Sequence, residues 1–410
     1  MKKDLKIALV HDFLVDFGGA ERVFEVFCGM FPEAPIYTLL YDEEKMRGRF
    51  AGRIIRTSFL QKFPKFLRRR KKWLLPLMPV APEVFDLRDF DLVLSSSGAW
   101  SKGIVTRLNT VHISYIHSPM RFVWDANGEY LEQQGKGAAI RLCARWLLNY
   151  IRVWDKVAAD RPDFLMANSE YTKRRIKKYY GRDSVVIYPP CNVQNVPDVQ
   201  AVQDDQLERA KRHGKQSDGI IEQKYFLIVS RLSPYKKIDA VVEAFNKSGL
   251  PLVVIGTGQQ EKYLRSIAKE NVKILGYKPD EEVARYLAGA RAFVFAGVDD
   301  FGMAPVEVMA HGVPVVALRR GGIKEIVIEG KTGEFFDEAT PESVADGVRR
   351  LIGNEGTYDK QAIIGRAKEF SKEIFIAKME EYIRSVINFK LLSDGYHRQC
   401  ENHKIIGQDS

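Results

Sequence analysis

Asp299 and Glu307 stand eight residues apart in the stretch Val298-Asp299-Asp300-Phe301-Gly302-Met303-Ala304-Pro305-Val306-Glu307. Acidic pairs at that spacing are common, and only the frame around them gives meaning. A β-type run, Ala292–Phe295, precedes them and a turn with Gly302 follows. A helix is predicted from about Pro305, a residue suited to a first helical turn, and Gly312-Val313-Pro314 ends it. Free N–H groups at such a helix start can bind phosphate or hydroxyls. Glu307, one turn in, can accept two hydrogen bonds from a vicinal diol. A second group, Arg231-Leu232-Ser233-Pro234-Tyr235-Lys236-Lys237, follows the run Tyr225–Ser230. Two cations five apart at a strand's carboxyl end suit a diphosphate: the arginine as a bidentate fork, the lysine as a mobile point charge. A solvated basic turn would carry the same residues, and Lys237 could take the place of Lys236. Gly18-Gly19, between a first strand and its helix, allows a phosphate or sugar close to the backbone, although a tight turn needs the same pair. No GxGxxG dinucleotide fingerprint is present. His117 ends the run Val111–Ile116, where a histidine is either structural or a site residue.

The elements that must hold these residues are short buried-type runs alternating with helical patterns. In the first half the strands are expected at Lys6–Val10, Asp91–Ser95, Val111–Ile116, Phe164–Asn168 and Val185–Tyr188. In the second they are expected at Tyr225–Ser230, Leu252–Ile255, Val272–Leu275, Ala292–Phe295 and Pro314–Ala317. Runs apolar throughout suit parallel strands covered on both faces. Helical stripes such as Val23, Phe24, Phe27 and Met30 supply the cover. The alternation predicts two doubly wound α/β domains, with ligand at the carboxyl ends of the strands in the cleft between them. The domains are placed at 1–195 and 223–374, joined by a polar linker over 196–222 whose residues 204–213 read as a solvated helix.

In 410 residues, Lys plus Arg number 63 against 53 for Asp plus Glu, a formal charge of +10. The excess favours an anionic partner: phosphate, nucleic acid or membrane. The 45% hydrophobic and 28% charged fractions exclude wholesale disorder. Cys28, Cys143, Cys191 and Cys400 form no CxxC, so neither a zinc site nor a disulfide scaffold is expected. His11, His112 and His311 have no spacing that makes a metal triad. The run Ile7–Val10 is too short for a secretory signal, and no run reaches a membrane span. The expected location is cytoplasmic.

With these residues in place, the sequence resembles the retaining glycosyltransferases of family 4, group 1, along nearly its whole length. Those proteins carry an acid-x7-acid motif ahead of a Gly-x-Pro turn. His11, Gly18-Gly19-Ala20-Glu21, Tyr115-Ile116-His117-Ser118-Pro119, Ala167-Asn168-Ser169, Arg231 and Lys236 match further landmarks. Ser95-Ser96-Ser97 with Lys102-Gly103, and Tyr188-Pro189-Pro190, resemble the branch of O-antigen mannosyltransferases of the WbaZ type.

The resemblance implies a GT-B fold of two Rossmann-like domains, with a C-terminal helix over 375–410 crossing back to the first. It implies a nucleotide-sugar donor, GDP-mannose by the branch, and a lipid-linked glycan or polysaccharide acceptor. Catalytic roles fall to His117, Asp299, Arg231 and Lys236. Donor contacts fall to Gly18, Gly19, Arg231, Lys236, Phe301, Gly302, Met303 and Glu307. No cofactor and no metal are expected, because cations and N–H dipoles neutralise the leaving diphosphate. Front-face attack is expected, since no carboxylate nucleophile of the glycosidase kind is placed. One departure stands out: the family's first acid is usually glutamate, and here it is Asp299, one methylene shorter.

Three alternatives stay open: a donor-binding homologue without turnover, a GT-B nucleotide-sugar epimerase and a nucleic-acid-binding protein. The Phe301-Gly302-Met303 frame argues against the second, and no nucleic-acid-binding module is visible for the third. Lys62, Lys65, Arg68, Arg69, Arg70, Lys71 and Lys72, interleaved with Phe63, Phe66 and Leu67, precede Trp73, Leu74, Leu75, Leu77 and Met78. Residues 62–82 read either as a solvated helix leading into core or as a peripheral contact with anionic membrane.

Overall fold

The computed structural model describes residues 5–125, 138–193 and 225–406. The expected linker and its helical stretch lie outside them. The chain forms two compact units, one of Met1–Asn168, Thr172–Tyr188 and Glu373–Ser410, the other of Ser169–Tyr171 and Pro189–Lys372. The first unit therefore closes at Tyr188, seven residues before the expected boundary at 195.

The first unit opens with β1 (Ile7–Leu14) and α1 (Gly19–Met30). Val23, Phe24 and Phe27 of α1 are buried against the sheet, and cutting either phenylalanine to alanine typically costs about 3–5 kcal/mol. At the helix start Glu21 Oε2 accepts from Gly18 N at 2.9 Å, the one half of a capping box open to a glycine N-cap. There follow β2 (Ile36–Tyr41), α2 (Glu43–Met46), β3 (Ile55–Thr57), α3 (Lys65–Arg69), β4 (Leu92–Ser97), β5 (Val111–Ile116), α4 (Arg121–Trp124), α5 (Ala138–Ala158), β6 (Phe164–Ala167), α6 (Glu170–Tyr180) and β7 (Val185–Val186). The seven strands are parallel, in the order β3-β2-β1-β4-β5-β6-β7.

The second unit runs β8 (Tyr225–Val229), α7 (Ile238–Ser248), β9 (Leu252–Ile255), α8 (Glu261–Ile267), β10 (Val272–Gly276), α9 (Asp280–Gly289), β11 (Ala290–Phe295), α10 (Met303–Met309), β12 (Val315–Leu318), β13 (Gly333–Phe336), α11 (Pro341–Gly353) and α12 (Lys360–Lys368). Its six parallel strands take the order β10-β9-β8-β11-β12-β13. Both sheets thus start in the middle, wind out to one edge and return to the other. The strand order reverses between β1 and β4 and again between β8 and β11, and doubly wound sheets bind ligands outside the carboxyl ends at such points. The last helix, α13 (Lys372–Ile406), buries Phe375, Met379, Ile383 and Val386 in the first unit's core. Phe375 packs there against Phe27, at 5.6 Å between ring centroids.

Three strands were not expected: β2, β3 and β13. β1 also runs four residues past its expected end, through the buried polar pair His11 and Asp12. Residues 62–82 do not form one helix. Short α3 is flanked by 3₁₀ turns at Phe59–Lys62 and Lys71–Leu77, because Pro64 and Pro76 interrupt the helical ladder. Leu74 and Met78 are core residues, while Phe66, Trp73 and Leu77 are exposed.

Candidate functional site

Where the first sheet's order reverses, strand register sets up a polar row. His11 on β1 lies beside Ser96 on β4, and Ser96 beside Tyr115 on β5, two residues before His117. His11 Nδ1 is 3.0 Å from Ser96 Oγ, and Ser96 Oγ is 2.7 Å from His117 Nε2. At the other end His11 Nε2 stands 3.5 Å from Glu21 Oε1. Burial raises the Glu21 pKa, but the hydrogen bond and charge of His11 and the backbone N–H groups outweigh it and leave the carboxyl below its ordinary value. Burial and then the neighbouring His11 push His117 down to about 4, so its imidazole is neutral at pH 7. The Glu21 carboxylate only accepts, so His11 Nε2–H points to it, and Ser96 Oγ links the two imidazoles, able to donate to one and accept from the other. A neutral His117 imidazole carries one N–H and one lone pair. The His117 carbonyl accepts from Asn168 Nδ2 at 2.9 Å.

Asp12, which the sequence reading did not single out, closes the loop after β4. Its two carboxylate oxygens accept from the N–H groups of Gly98, Ala99, Trp100 and Ser101 at 2.6–2.9 Å. Beneath that loop the buried Lys102 ammonium meets Asp155, which also accepts from Trp124 Nε1 at 2.7 Å and Tyr180 O–H at 2.9 Å. Breaking one partner of such a buried pair strands a charge in the core. Gly18 N–H donates to Glu21 Oε2 at 2.9 Å. Gly19 is the first residue of α1.

In the second unit, at the reversal between β8 and β11, Lys236 and Asp299 meet. Lys236 Nζ donates to Asp299 Oδ1 at 2.7 Å and Oδ2 at 2.6 Å, with the side chains 12% and 27% exposed. The expected diphosphate cation and the first acid of the acid-x7-acid motif are therefore each other's partner. A small hollow beside them is lined by Ser230, Lys236, Phe295 and Gly297 among others. Gly297 makes room for the lysine, since a Cβ there would come within 2.8 Å of Lys236 Cδ. Arg231 lies on the same loop, exposed.

Backbone packing holds both loops. Leu232 N donates to Thr257 O at 2.9 Å and Gln260 N to Leu232 O at 3.0 Å, tying the Arg231–Lys236 loop to the one after β9. Gly256, at φ +135°, permits that approach, because a Cβ would sit 1.9 Å from Ser230 O. Gly256 thus has a packing role. Gly321-Gly322, missed in the sequence, do the same beneath Asp299 and Asp300. Gly322 N donates to Asp299 O at 3.0 Å, and a Cβ on either glycine would meet those carbonyls within 2.4 Å.

Gly302, at φ +104°, caps α10, which begins at Met303, two residues before the expected Pro305. Phe301 is buried with its ring against Phe370, so its side chain serves the core and leaves only its backbone to a ligand. Met303 and Glu307 are half-buried on α10. Arg231, Lys236, Asp299, Phe301, Gly302, Met303 and Glu307 all belong to the second unit, and Gly18, Gly19 and His117 to the first. Among the described residues, no group of three or more His, Cys, Asp or Glu is arranged to hold a metal.

Residues 17–195 match the family model described as Glycosyltransferase Family 4, and residues 211–369 that described as Glycosyl transferases group 1. The chain belongs to the family 4, group 1, glycosyltransferases. Its fold is GT-B. HepE of Anabaena, solved with UDP and glucose, superposes with a TM-score of 0.64 at 17% identity over 93% of this chain and 100% of that one. The sucrose-phosphate synthase of Thermosynechococcus elongatus gives 0.66 at 15% identity over 94% and 100%. In sequence, an uncharacterized glycosyltransferase of Methanocaldococcus jannaschii is 27% identical over 59% of this chain. A GDP-mannose-dependent alpha-(1-6)-phosphatidylinositol monomannoside mannosyltransferase of Mycobacterium tuberculosis is 28% identical over 55% of it. The matched stretches span 64% and 62% of those two relatives, under two thirds of either.

Proposed function

We propose that the chain is a retaining hexosyltransferase that moves mannose from GDP-mannose to a lipid-linked glycan or polysaccharide, as in the O-antigen mannosyltransferase branch. The observation that carries the reading is the Lys236–Asp299 pair at the point where the second sheet reverses. A cation and a carboxylate held together there match what a sugar diphosphate needs: positive charge for the β-phosphate and an acceptor for sugar hydroxyls. In this reading Lys236 and Arg231 stabilise the leaving diphosphate as its charge develops, without a metal. Glu307 binds the ribose diol, and the backbone at 302–303 lies along the phosphates. The first unit holds the acceptor, with neutral His117 offering a hydrogen-bond acceptor to a hydroxyl. Attack comes from the face the diphosphate leaves, and the departing phosphate oxygen takes the proton of the acceptor hydroxyl. The GDP-mannose-dependent relatives support the donor. The setting is the cytoplasmic face of a membrane, touched through 62–82; among the described residues no helix is long and apolar enough to cross one.

The test is donor hydrolysis without acceptor, across GDP-mannose, UDP-glucose, UDP-galactose and UDP-N-acetylglucosamine, with and without chelator. GDP release from GDP-mannose, unchanged by chelator and with retained configuration in the first-formed sugar product, is expected. Preference for a UDP-sugar would overturn the donor. Tight donor binding with no turnover, even with acceptor glycolipid supplied, would overturn the enzymatic reading.

A further inference from the structure

Helix α5 carries a face that the donor chemistry does not use and that the sequence reading did not single out. Leu142, Trp146, Tyr150, Val153 and Val157 are each at least half exposed, Trp146 by 70%. Their spacing of four, four, three and four places them on one stripe, within about 80° of arc at 100° per residue. Leu148, Ile151, Asp155 and Ala158 on the opposite side are buried in the first unit. The usual order for a surface helix, polar outward, is therefore broken along most of its length.

The charge beside the stripe has one sign. Arg141, Arg145, Arg152 and Lys156 all fall on one flank, and the helix's sole acid, Asp155, is buried against Lys102. Arg152 is tied to Val123 O at 2.8 Å and Lys156 to Tyr180 O and Asp160, which leaves Arg141 and Arg145 as exposed cations on that flank. We propose that the exposed face of α5 lies in the headgroup region of a bilayer rich in anionic phospholipid, with Trp146 and Tyr150 entering the boundary and Arg141 and Arg145 pairing with phosphates. From Leu142 to Val157 the stripe gives about 23 Å of contact lying flat. A second copy fits this face less well, since it would set arginines against arginines with no exposed acid on α5 to answer them. Trp and Tyr, apolar in body and polar at one edge, suit a headgroup boundary. The 59–84 stretch stands on the same core: Leu74 and Met78 cluster with Leu148 and Ile151, and Trp154 Nε1 is 3.4 Å from Glu83 Oε1. The contact is thus wider than 62–82 and independent of which sugar is transferred.

Cys143, exposed beside the stripe, gives a local readout, Cys28 and Cys191 being buried. In the full-length Cys400→Ser chain, an environment-sensitive dye on Cys143 is followed as phosphatidylcholine vesicles with or without about a third phosphatidylglycerol are added. A blue shift with anionic vesicles only, reduced by salt, is expected. In co-sedimentation of the unlabelled chain, Trp146→Ser with Tyr150→Ser should weaken binding at least tenfold, and Arg141→Gln with Arg145→Gln several-fold. Neutralising Arg68–Lys72 should weaken binding but leave the dye shift at saturating lipid. Wild-type binding by the Trp146/Tyr150 variant, an unshifted dye on a bound chain, or a dimer in solution that Trp146→Ser dissociates would each overturn the assignment to lipid. None of these outcomes touches donor hydrolysis, so a failure here and a failure of the proposed activity are told apart.

Discussion

The two sheets repeat one strand order and differ in what they place at the point where it reverses. At the end of the first sit His11, Ser96 and His117, below or near the surface and joined by hydrogen bonds, with Asp12 next to His11 holding the loop after β4. At the end of the second sit Lys236 and Asp299, opposite charges paired in partial contact with solvent, and Arg231 in the open. A buried hydrogen-bonded row is pre-organised and responds to changes in proton position. A partly exposed ion pair is held by Coulomb attraction between two full charges. One architecture thus carries a hydrogen-bonded end and a charged end, and the difference resides in a handful of side chains.

The largest expected effect falls on the charged end. Lys236→Ala should lower kcat/KM for the donor by roughly 10- to 150-fold or more, since a charge-assisted bond to a developing diphosphate is worth about 1.5–3 kcal/mol or above. Arg231→Ala should do likewise, and Arg231→Lys should recover only part because the fork is lost. Asp299→Glu keeps the pair but moves the ammonium by a methylene, so kcat or donor preference should shift without complete loss. Steady-state kinetics with melting curves decide the matter. Unchanged kcat/KM in both alanine variants would remove the second unit's switch point from the reaction.

The neutral end should give a smaller and different signature. Glu21→Gln and Ser96→Ala each break the row, and each should lower kcat about tenfold with donor affinity unchanged. The double variant should be little worse than either single one, since residues acting as a unit are not additive. The structural alternative, in which the row merely packs, moves Tm and leaves the imidazole alone. Nitrogen chemical shifts of His117 separate the two. A single tautomer in the wild type and a mixture of tautomers in Ser96→Ala is the expected result. An unchanged tautomer would reduce the row to scaffolding.

This contrast also marks what the sequence made legible. Lys236 and Asp299 were each found, because a cation after one strand and an acid after another are readable from local frames. Their pairing was not, since sequence spacing does not report which strands are neighbours. The same holds for His11, Ser96 and His117: each was noted, and only register across β1, β4 and β5 joins them. Asp12 was passed over because a buried carboxylate needs many N–H partners, and its four come from a loop more than eighty residues away. β1 was cut short because the buried polar pair His11 and Asp12 interrupts its apolar run before Phe13 and Leu14. β3 is only Ile-Arg-Thr and β13 opens on a glycine, patterns with too little apolar run to show. Gly256 and Gly321-Gly322 were opaque because close backbone approach leaves no mark in composition.

The smallest effect is on stability, and it separates the units by pH. His112 is fully buried, with Ser95 Oγ 2.8 Å from its Nε2, and burial, with Arg182 adding, pushes its pKa down to about 3. His117 lies near 4 for the reasons given above. Both are depressed below the unfolded value of about 6.5, so in the window between, the unfolded chain binds more protons than the folded one. Stability therefore rises with pH from about 4 to 6.5 and is lost as pH falls through that window. The loss is at most about 2 kcal/mol per histidine at pH 5. Glu21 adds little at pH 5: its depressed carboxyl withdraws stability only as pH falls below its ordinary value of 4.5, at the bottom of this range. In the second unit His311 is shifted the same way, by burial and then Lys360, but it is only partly enclosed. Hydrogen exchange at pH 7 and pH 5, corrected for intrinsic rates, should show amides of β4 and β5 losing more protection than those of β8 and β11. His112→Asn should shrink that gap even though it lowers stability at pH 7, because the group that titrates on unfolding is gone. Equal loss in both sheets would mean that the buried histidines of the first unit do not set its acid limit.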